Sequence, residues 1–158
     1  MSTGQVHLLG VPLRLREESN EHAQDLLREL ALVQIGAREH HAGDLPQRLL
    51  QLAGELASSY APLQQQPVAA LDAAAAAGED FTDVTCTLPV HAGAFAQRVV
   101  EVLEQADDFC RREQLLTLPA SAQVVIYRRW LFGQFSGQLS GAPAQPWTTS
   151  WTNSGTNA

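Results

Sequence analysis

The sequence contains no lysine, only two cysteines and no long apolar run, and each shortage excludes a class of protein. The 10 basic residues, all arginine, are outnumbered by 17 acidic ones, so a net charge of −7 repels nucleic acids and anionic lipids. Cys86 and Cys110 lack C-x-x-C spacing, which favours a reducing compartment over a disulfide framework. No apolar run approaches the roughly 18 residues of a membrane span, and no signal peptide pattern is present. We therefore expect a cytoplasmic protein that binds neither membranes nor nucleic acid.

The chain does contain enough apolar sequence for one folded domain. Of its 158 residues, 45% are hydrophobic and 17% are charged, as in ordinary globular proteins. After Gly141 the composition shifts to Pro, Thr, Ser, Asn and Gly. We therefore expect a single α-rich domain over 1–141 and a flexible tail over 142–158.

Hydrophobic periodicity predicts two short strands and about five helices. Val11, Leu13 and Leu15 alternate with polar or turn residues, which is typical of a strand within 6–16, and 84–88 has the same alternation. Apolar residues at helical spacing, with their start and stop signals, predict the helices. They are expected at about 20–34, 46–60, 68–77, 95–110 and 121–139. The fold class is therefore α+β and helix-dominated.

The two halves of the sequence also match each other without a gap at an offset of 73 positions (84 − 11). The matches include Val11/Val84, Leu13/Cys86, Leu15/Leu88, Ala23/Ala96, Gln24/Gln97 and Leu45-Pro46/Leu118-Pro119. This pattern predicts a duplicated strand-helix-helix unit, with repeat 1 at about 6–60, a connector at 61–80 and repeat 2 at about 81–141. The alternative is that any two strand-then-helix segments share apolar spacing. In a duplicated fold the two strands pair, and the helices cover one face of the ribbon.

Two clusters with catalytic or metal-binding residue types have simpler interpretations. The segment 38–44 offers histidine and carboxylate donors, but the adjacent His40 and His41 diverge in a helix and favour a solvated loop over a metal site. Cys86 precedes His91 by five positions (91 − 86), yet a cysteine on an alternating strand usually packs as a small apolar residue. No phosphate-binding glycine loop is present. We expect no metal, no cofactor and no catalytic residues.

The most unusual segment combines arginines with aromatic residues in an apolar helix. One interpretation is that an arginine pairs with a carboxylate such as Glu101 or Asp108 and orients the helix. The other is a surface for a partner or an anionic ligand, since these residue types are enriched at binding hot spots. The candidate binding residues are Tyr127, Arg128, Arg129, Trp130 and, in the tail, Trp147.

The stretch from Asp83 to Trp147 resembles a family of small actinobacterial proteins of uncharacterised function. The resemblance rests on V-T-C-T-L-P, D-F-C-R-R-E-Q-L-L-T-L and Y-R-R-W-L-F-G-Q-F. That family is associated with neighbours of anti-sigma-factor kinases and STAS-domain antagonists. The resemblance implies a signalling or regulatory accessory role, and it supplies no catalytic residues.

These observations favour a non-enzymatic regulatory protein that binds a protein partner. The helix over 128–135 would form the surface, with Trp147 and Trp151 as a docking peptide, and a homodimer would bury further apolar helix surface. The alternative function is a small-molecule sensor that binds an anionic ligand between the two repeats, where Arg128 or Arg129 would meet the anion.

Overall fold

The fold is helix-rich and contains a two-stranded antiparallel sheet, in a computed structural model that describes residues 2–40, 48, 51, 54–55 and 68–148. The side chains of residues 34 and 37–40 lie outside this description. The elements, in chain order, are β1 (Thr3–Pro12), α1 (Leu13–His40), α2 (Val68–Ala76), β2 (Phe81–Pro89), α3 (Ala92–Arg111) and α4 (Ala122–Leu139). This confirms the α+β class.

The sheet is a ribbon with one buried face. Strands β1 and β2 pair from Thr3 opposite Pro89 to Pro12 opposite Phe81, with an irregularity between Leu8 and Val11. Gly10 lies in that irregularity with a φ of +71°, a conformation that favours glycine, and its N–H donates to the Asp83 carboxylate. Apolar residues of both strands face the helices, and polar residues face outwards. The buried set is Val6, Leu8, Val11, Cys86 and Leu88.

The prediction that Leu13 and Leu15 continue the first strand is wrong. Strand β1 ends at Pro12 and α1 begins at the next residue, where the N–H of Leu13 donates to the carbonyl of Asp80. The misleading residue is Arg16, which occupies a core-side position of α1 with its side chain only 12% exposed and binds Asp72 at 3.2 Å. A charged residue at that position hides the helical spacing and leaves only the short alternation visible.

This boundary also affects the predicted repeat. The gapless alignment pairs Leu13 and Leu15 of a helix with Cys86 and Leu88 of a strand, so its register is wrong at those positions. A strand followed by a long helix does occur twice, and the two strands pair with each other. The duplication itself stays a prediction.

Four of the predicted helices are confirmed. Helix α2 is followed by Gly78 at a φ of +80°, and the Ser121 hydroxyl accepts a hydrogen bond from the N–H of Val124 at the start of α4. The helix predicted over 46–60 lies almost wholly outside the described residues, although residues 48, 51, 54 and 55 are helical. None of the described helices has the length and apolar character needed to cross a bilayer.

The core lies between the helices and the buried face of the sheet. Helix α4 packs against α3, β1 and α1, and α2 packs against β2. The side chains at the centre are almost fully buried. They include Leu26, Leu30, Val99, Leu103 and Phe135.

The C-terminal segment is part of this packing up to Trp147. That indole is 7% exposed and lies with its ring centroid 5.6 Å from Trp130 and 6.1 Å from Tyr127. The backbone N–H of Trp147 donates to the Leu9 carbonyl at 2.9 Å, and the indole N–H of Trp130 donates to the Gln145 carbonyl at 2.9 Å. The tail predicted over 142–158 therefore starts too early, because the packed domain extends at least to Trp147. Residues 149–158, including Trp151, lie outside the described residues.

We predict that Trp147→Ala lowers the free energy of unfolding by about 2–4 kcal/mol, because it removes a buried aromatic ring from two others. Urea denaturation followed by circular dichroism measures the change. Pro143→Ala, in the exposed part of the same segment, is the control and should change stability by less than about 1 kcal/mol. Equal stability of Trp147→Ala and wild type would contradict the role of Trp147 in the core.

Candidate functional site

A buried ion pair joins α3 to α4. The Arg128 guanidinium donates to one carboxylate oxygen of Asp107 at 2.5 Å, and the two residues are 3% and 2% exposed. The other oxygen of Asp107 accepts a hydrogen bond from the N–H of Ala120 at 3.2 Å. It also lies 3.6 Å from Nε2 of His22 on α1. Because a buried charge needs compensation, Asp107 determines how α1, α3, α4 and the α3–α4 loop meet.

His22 ties α1 to the α3–α4 loop. Its Nε2 lies 2.8 Å from the carbonyl oxygen of Leu118, and since a carbonyl only accepts, Nε2 carries the hydrogen. The side chain is 13% exposed, and Nδ1 is buried without a hydrogen-bond partner among the described residues. The ring is therefore held by the loop through Nε2 and is shielded from solvent at Nδ1.

Glu29, about two helical turns further along α1 than His22, binds the same loop at a second place. One oxygen of its carboxylate accepts the N–H of Leu116 at 2.5 Å, and the other accepts the N–H and the hydroxyl of Thr117, both at 2.6 Å. Burial opposes ionisation of Glu29, but the hydrogen bonds from Thr117 and Leu116 outweigh it, and the pKa of Glu29 falls below its ordinary value. The loop backbone is thus fixed on α1.

These contacts create a cleft of about 640 Å³ between α1 and the α3–α4 loop, which we call the α1 cleft. Three of its leucines are unusually exposed: Leu116 by 94%, Leu118 by 79% and Leu32 by 62%. Carboxylates and one arginine surround them, and that arginine, Arg28, lies 3.5 Å from Asp25. The charged residues of the cleft wall are Glu18, Glu21, Asp25, Arg28 and Glu29. The α1 cleft therefore combines an apolar surface with a negative rim.

The residues predicted from sequence lie elsewhere, and most are buried. Tyr127, Trp130 and Trp147 form one aromatic cluster in the core, and Arg128 binds Asp107 beneath the surface. Only Arg129 is exposed, with its side chain 62% accessible and its Nε 2.7 Å from the Glu104 carboxylate. The structure thus brings the three aromatic residues together, but they pack in the core. Both arginines pair with carboxylates, which is the structural interpretation given above.

Neither the carboxylates that pair with Arg128 and Arg129 nor the α1 cleft was predicted from the sequence. Glu101 and Asp108 were named as candidate partners, whereas the structure uses Glu104 and Asp107. The signal for Asp107 was its position, since it falls on the apolar face that Leu103, Ala106 and Cys110 mark along α3. The signal for the cleft was a leucine-rich stretch over 115–118 between two helices, where polar residues are usual.

The remaining candidates show no reactive chemistry. Burial raises the pKa of the Cys86 thiol and of the Cys110 thiol to about 11, so both stay protonated at neutral pH. No group of three metal-ligating side chains occurs in residues 2–40, 48, 51, 54–55 and 68–148. His41 and the side chain of His40 lie outside these residues.

Comparison with protein-family models, with curated proteins and with solved structures finds no match to this chain. The function must therefore be argued from the site itself.

We predict that breaking the Asp107–Arg128 pair costs about 3–5 kcal/mol in the free energy of unfolding, because the remaining charge is buried alone. Arg128→Met and Asp107→Asn each test this by chemical denaturation. The double variant should cost clearly less than the two single variants together. Arg129→Met is the matched control on the next residue, whose exposed pair with Glu104 is worth about 0–1 kcal/mol. Equal effects of Arg128→Met and Arg129→Met would refute the argument.

The lowered pKa of Glu29 predicts a contribution to stability that depends on pH. Because the folded state binds the ionised carboxylate, this contribution is complete above the pKa of the unfolded chain and is lost as the pH falls through the folded pKa. Glu29→Gln should therefore be less stable than wild type at neutral pH, and the difference should shrink in acid. Melting temperatures from neutral to acidic pH measure it, with Glu21→Gln as an exposed control on the same helix.

Proposed function

We propose that this chain is a non-enzymatic accessory protein that binds a protein partner in the α1 cleft, and that the partner presents an amphipathic helix with a basic face. The observation that carries this proposal is the exposure of Leu32, Leu116 and Leu118 in one cleft. A regulatory or signalling role in the cytoplasm, and a common origin of the two strand-helix units, are part of the same proposal.

The apolar part of the argument concerns how these leucines are held. Leu116 and Leu118 are displayed by a loop whose backbone is bound to Glu29 and to His22. A surface fixed in advance loses little conformational entropy when a ligand binds, so exposed leucines here contribute more affinity than leucines on a loose loop. Contiguous apolar surface of this kind with a polar rim is typical of sites for protein partners.

The charged part of the argument concerns the sign of the rim. Glu18, Glu21 and Asp25 lie along α1 beside the leucines, and Arg28 is already paired with Asp25. The whole chain carries a net charge of −7. A basic partner is therefore attracted from a distance and held in register by the rim, while an acidic one is repelled. A helix supplies apolar and basic residues on opposite sides of one element, which fits an elongated cleft.

The surface differs from the one expected on the helix over 128–135. Of the residues expected there, only Arg129 is accessible, and Glu104 neutralises it. The burial of Arg128 also removes the support for an anionic-ligand sensor, because its guanidinium binds Asp107 in the core. A catalytic role has equally little support, since Nδ1 of His22 is buried, its Nε2 donates to the Leu118 carbonyl, and both described thiols are buried.

We predict that the protein binds a synthetic amphipathic helical peptide with leucines on one side and lysines on the other. Fluorescence anisotropy of the labelled peptide measures binding, which should weaken as salt is raised. The combined variant Leu116→Ser and Leu118→Ser should weaken binding by about tenfold or more, because it removes both anchors. Glu29→Gln, which loosens the loop, should weaken it less.

Two controls separate this result from unspecific adsorption. Val68→Ser removes an apolar side chain that is 45% exposed on α2, away from the α1 cleft, and should leave binding unchanged. A peptide with glutamate in place of lysine should not bind. Equal binding of the lysine peptide to wild type and to the double leucine variant would refute the proposal.

A further inference from the structure

The two edges of the sheet differ in whether their backbone N–H and C=O groups are hydrogen-bonded to other parts of the described chain. The outer edge of β1 is closed, because the Gln138 side-chain amide accepts from the N–H of His7 at 2.8 Å and donates to the carbonyl of His7 at 2.9 Å. Two residues further on, the N–H of Trp147 donates to the carbonyl of Leu9. The backbone groups of His7 therefore point away from β2.

This orientation determines which groups of β2 point outwards. Residues directly opposite each other in an antiparallel ladder point their N–H and C=O groups either both towards each other or both away. His7 lies opposite Thr85, so the backbone groups of Thr85 point away from β1, and those of Asp83 and Thr87 follow by the period of two. Among the described residues none hydrogen-bonds to these outward groups. Within the part of the chain that the structure describes, strand β2 thus presents an open edge.

The open edge is bordered at both ends by exposed apolar side chains. Phe81 at the start of β2 is 52% exposed, and Val90 just after its end is 44% exposed. Thr85 is the midpoint of Phe81–Pro89. A twofold axis at Thr85 would therefore place Phe81 of one copy against the Pro89–Val90 end of the other and cover both exposed groups.

We propose that β2 pairs antiparallel with β2 of a second copy of this chain, with Thr85 on the twofold axis, to form a four-stranded sheet across a homodimer. In this register Thr85 faces Thr85 of the second copy, and Asp83 faces Thr87. All of these residues have outward-pointing backbone groups, so each pair can exchange hydrogen bonds.

A second copy fits this edge better than a strand of opposite charge. Asp83 is the only charged residue of β2, and its carboxylate already accepts the N–H of Gly10 at 2.6 Å. The strand is otherwise rich in threonine and apolar residues, and threonine pairs across strands are favourable. A ribbon of two strands is also marginal as a sheet, and pairing doubles its width.

The first test is the mass of the full chain by light scattering after size exclusion. Wild type should have twice the chain mass of 17.1 kDa, and Thr85→Pro should have the mass of one chain. Proline is compatible with β1–β2 pairing at this position because the N–H of Thr85 is not used there. Thr85→Ala, which keeps the N–H, is the control and should remain a dimer. A monomeric wild type, or a dimeric Thr85→Pro, would overturn the proposal.

A second test does not depend on a destabilising substitution. Thr85→Cys places two thiols on the axis, with Cα atoms about 5.5 Å apart, a distance that a disulfide spans. Thr87→Cys is the matched control, because the two Thr87 Cα atoms would lie about 14 Å apart. The native thiols are buried with a pKa of about 11 and do not compete. Under mild oxidation only Thr85→Cys should form a covalent dimer on a non-reducing gel, and cross-linking of both variants or of neither would refute the register.

Discussion

The carboxylate of Asp107 is the point on which the arrangement of the helices depends. It neutralises the buried positive charge of Arg128 and accepts a hydrogen bond from the N–H of Ala120, just before α4 begins. It also lies beside His22 of α1. Because an unpaired charge at this depth is costly, displacing any one of these elements would leave Asp107 or Arg128 uncompensated. The ion pair therefore specifies geometry more than it adds stability.

The conformation of the α3–α4 loop is fixed by hydrogen bonds to Asp107 and Glu29. Its far end is fixed by the N–H of Ala120 on Asp107, and its middle by the N–H groups of Leu116 and Thr117 on Glu29. These backbone contacts keep the side chains of Leu116 and Leu118 from turning inwards. Apolar residues on a free loop would collapse onto the nearest core surface. Here the backbone contacts hold Leu116 and Leu118 in water. Their exposure is thus a fixed feature of the loop, and the proposed binding surface is based on it.

Much of the fold could be predicted from sequence, and the failures have physical causes. The signals for α2, β2, α3 and α4 were local. They were, in that order, Gly78 after a helix, β-branched alternation, apolar residues at helical spacing, and Ser121 before an apolar run. The start of α1 failed because Arg16 interrupts its apolar face while pairing with Asp72. The leucine-rich stretch over 115–118 marks one wall of the α1 cleft, but its pairing with α1 could not be predicted, because it depends on contacts from Glu29 to residues 116–117 that are remote in sequence. The aromatic residues of α4 were recognised as unusual, but their burial depends on Trp147 folding back.

The side chain of Gln138 has a consequence for how the protein can assemble. Its amide offers His7 the same donor and acceptor that a neighbouring strand would offer, so β1 is already terminated. A sheet with two free edges can add chains without limit and grow into fibres. A sheet with one free edge can only close on itself around a twofold axis and then stops. In the proposed homodimer, Gln138 together with the backbone N–H of Trp147 would therefore limit the sheet to two copies of the chain.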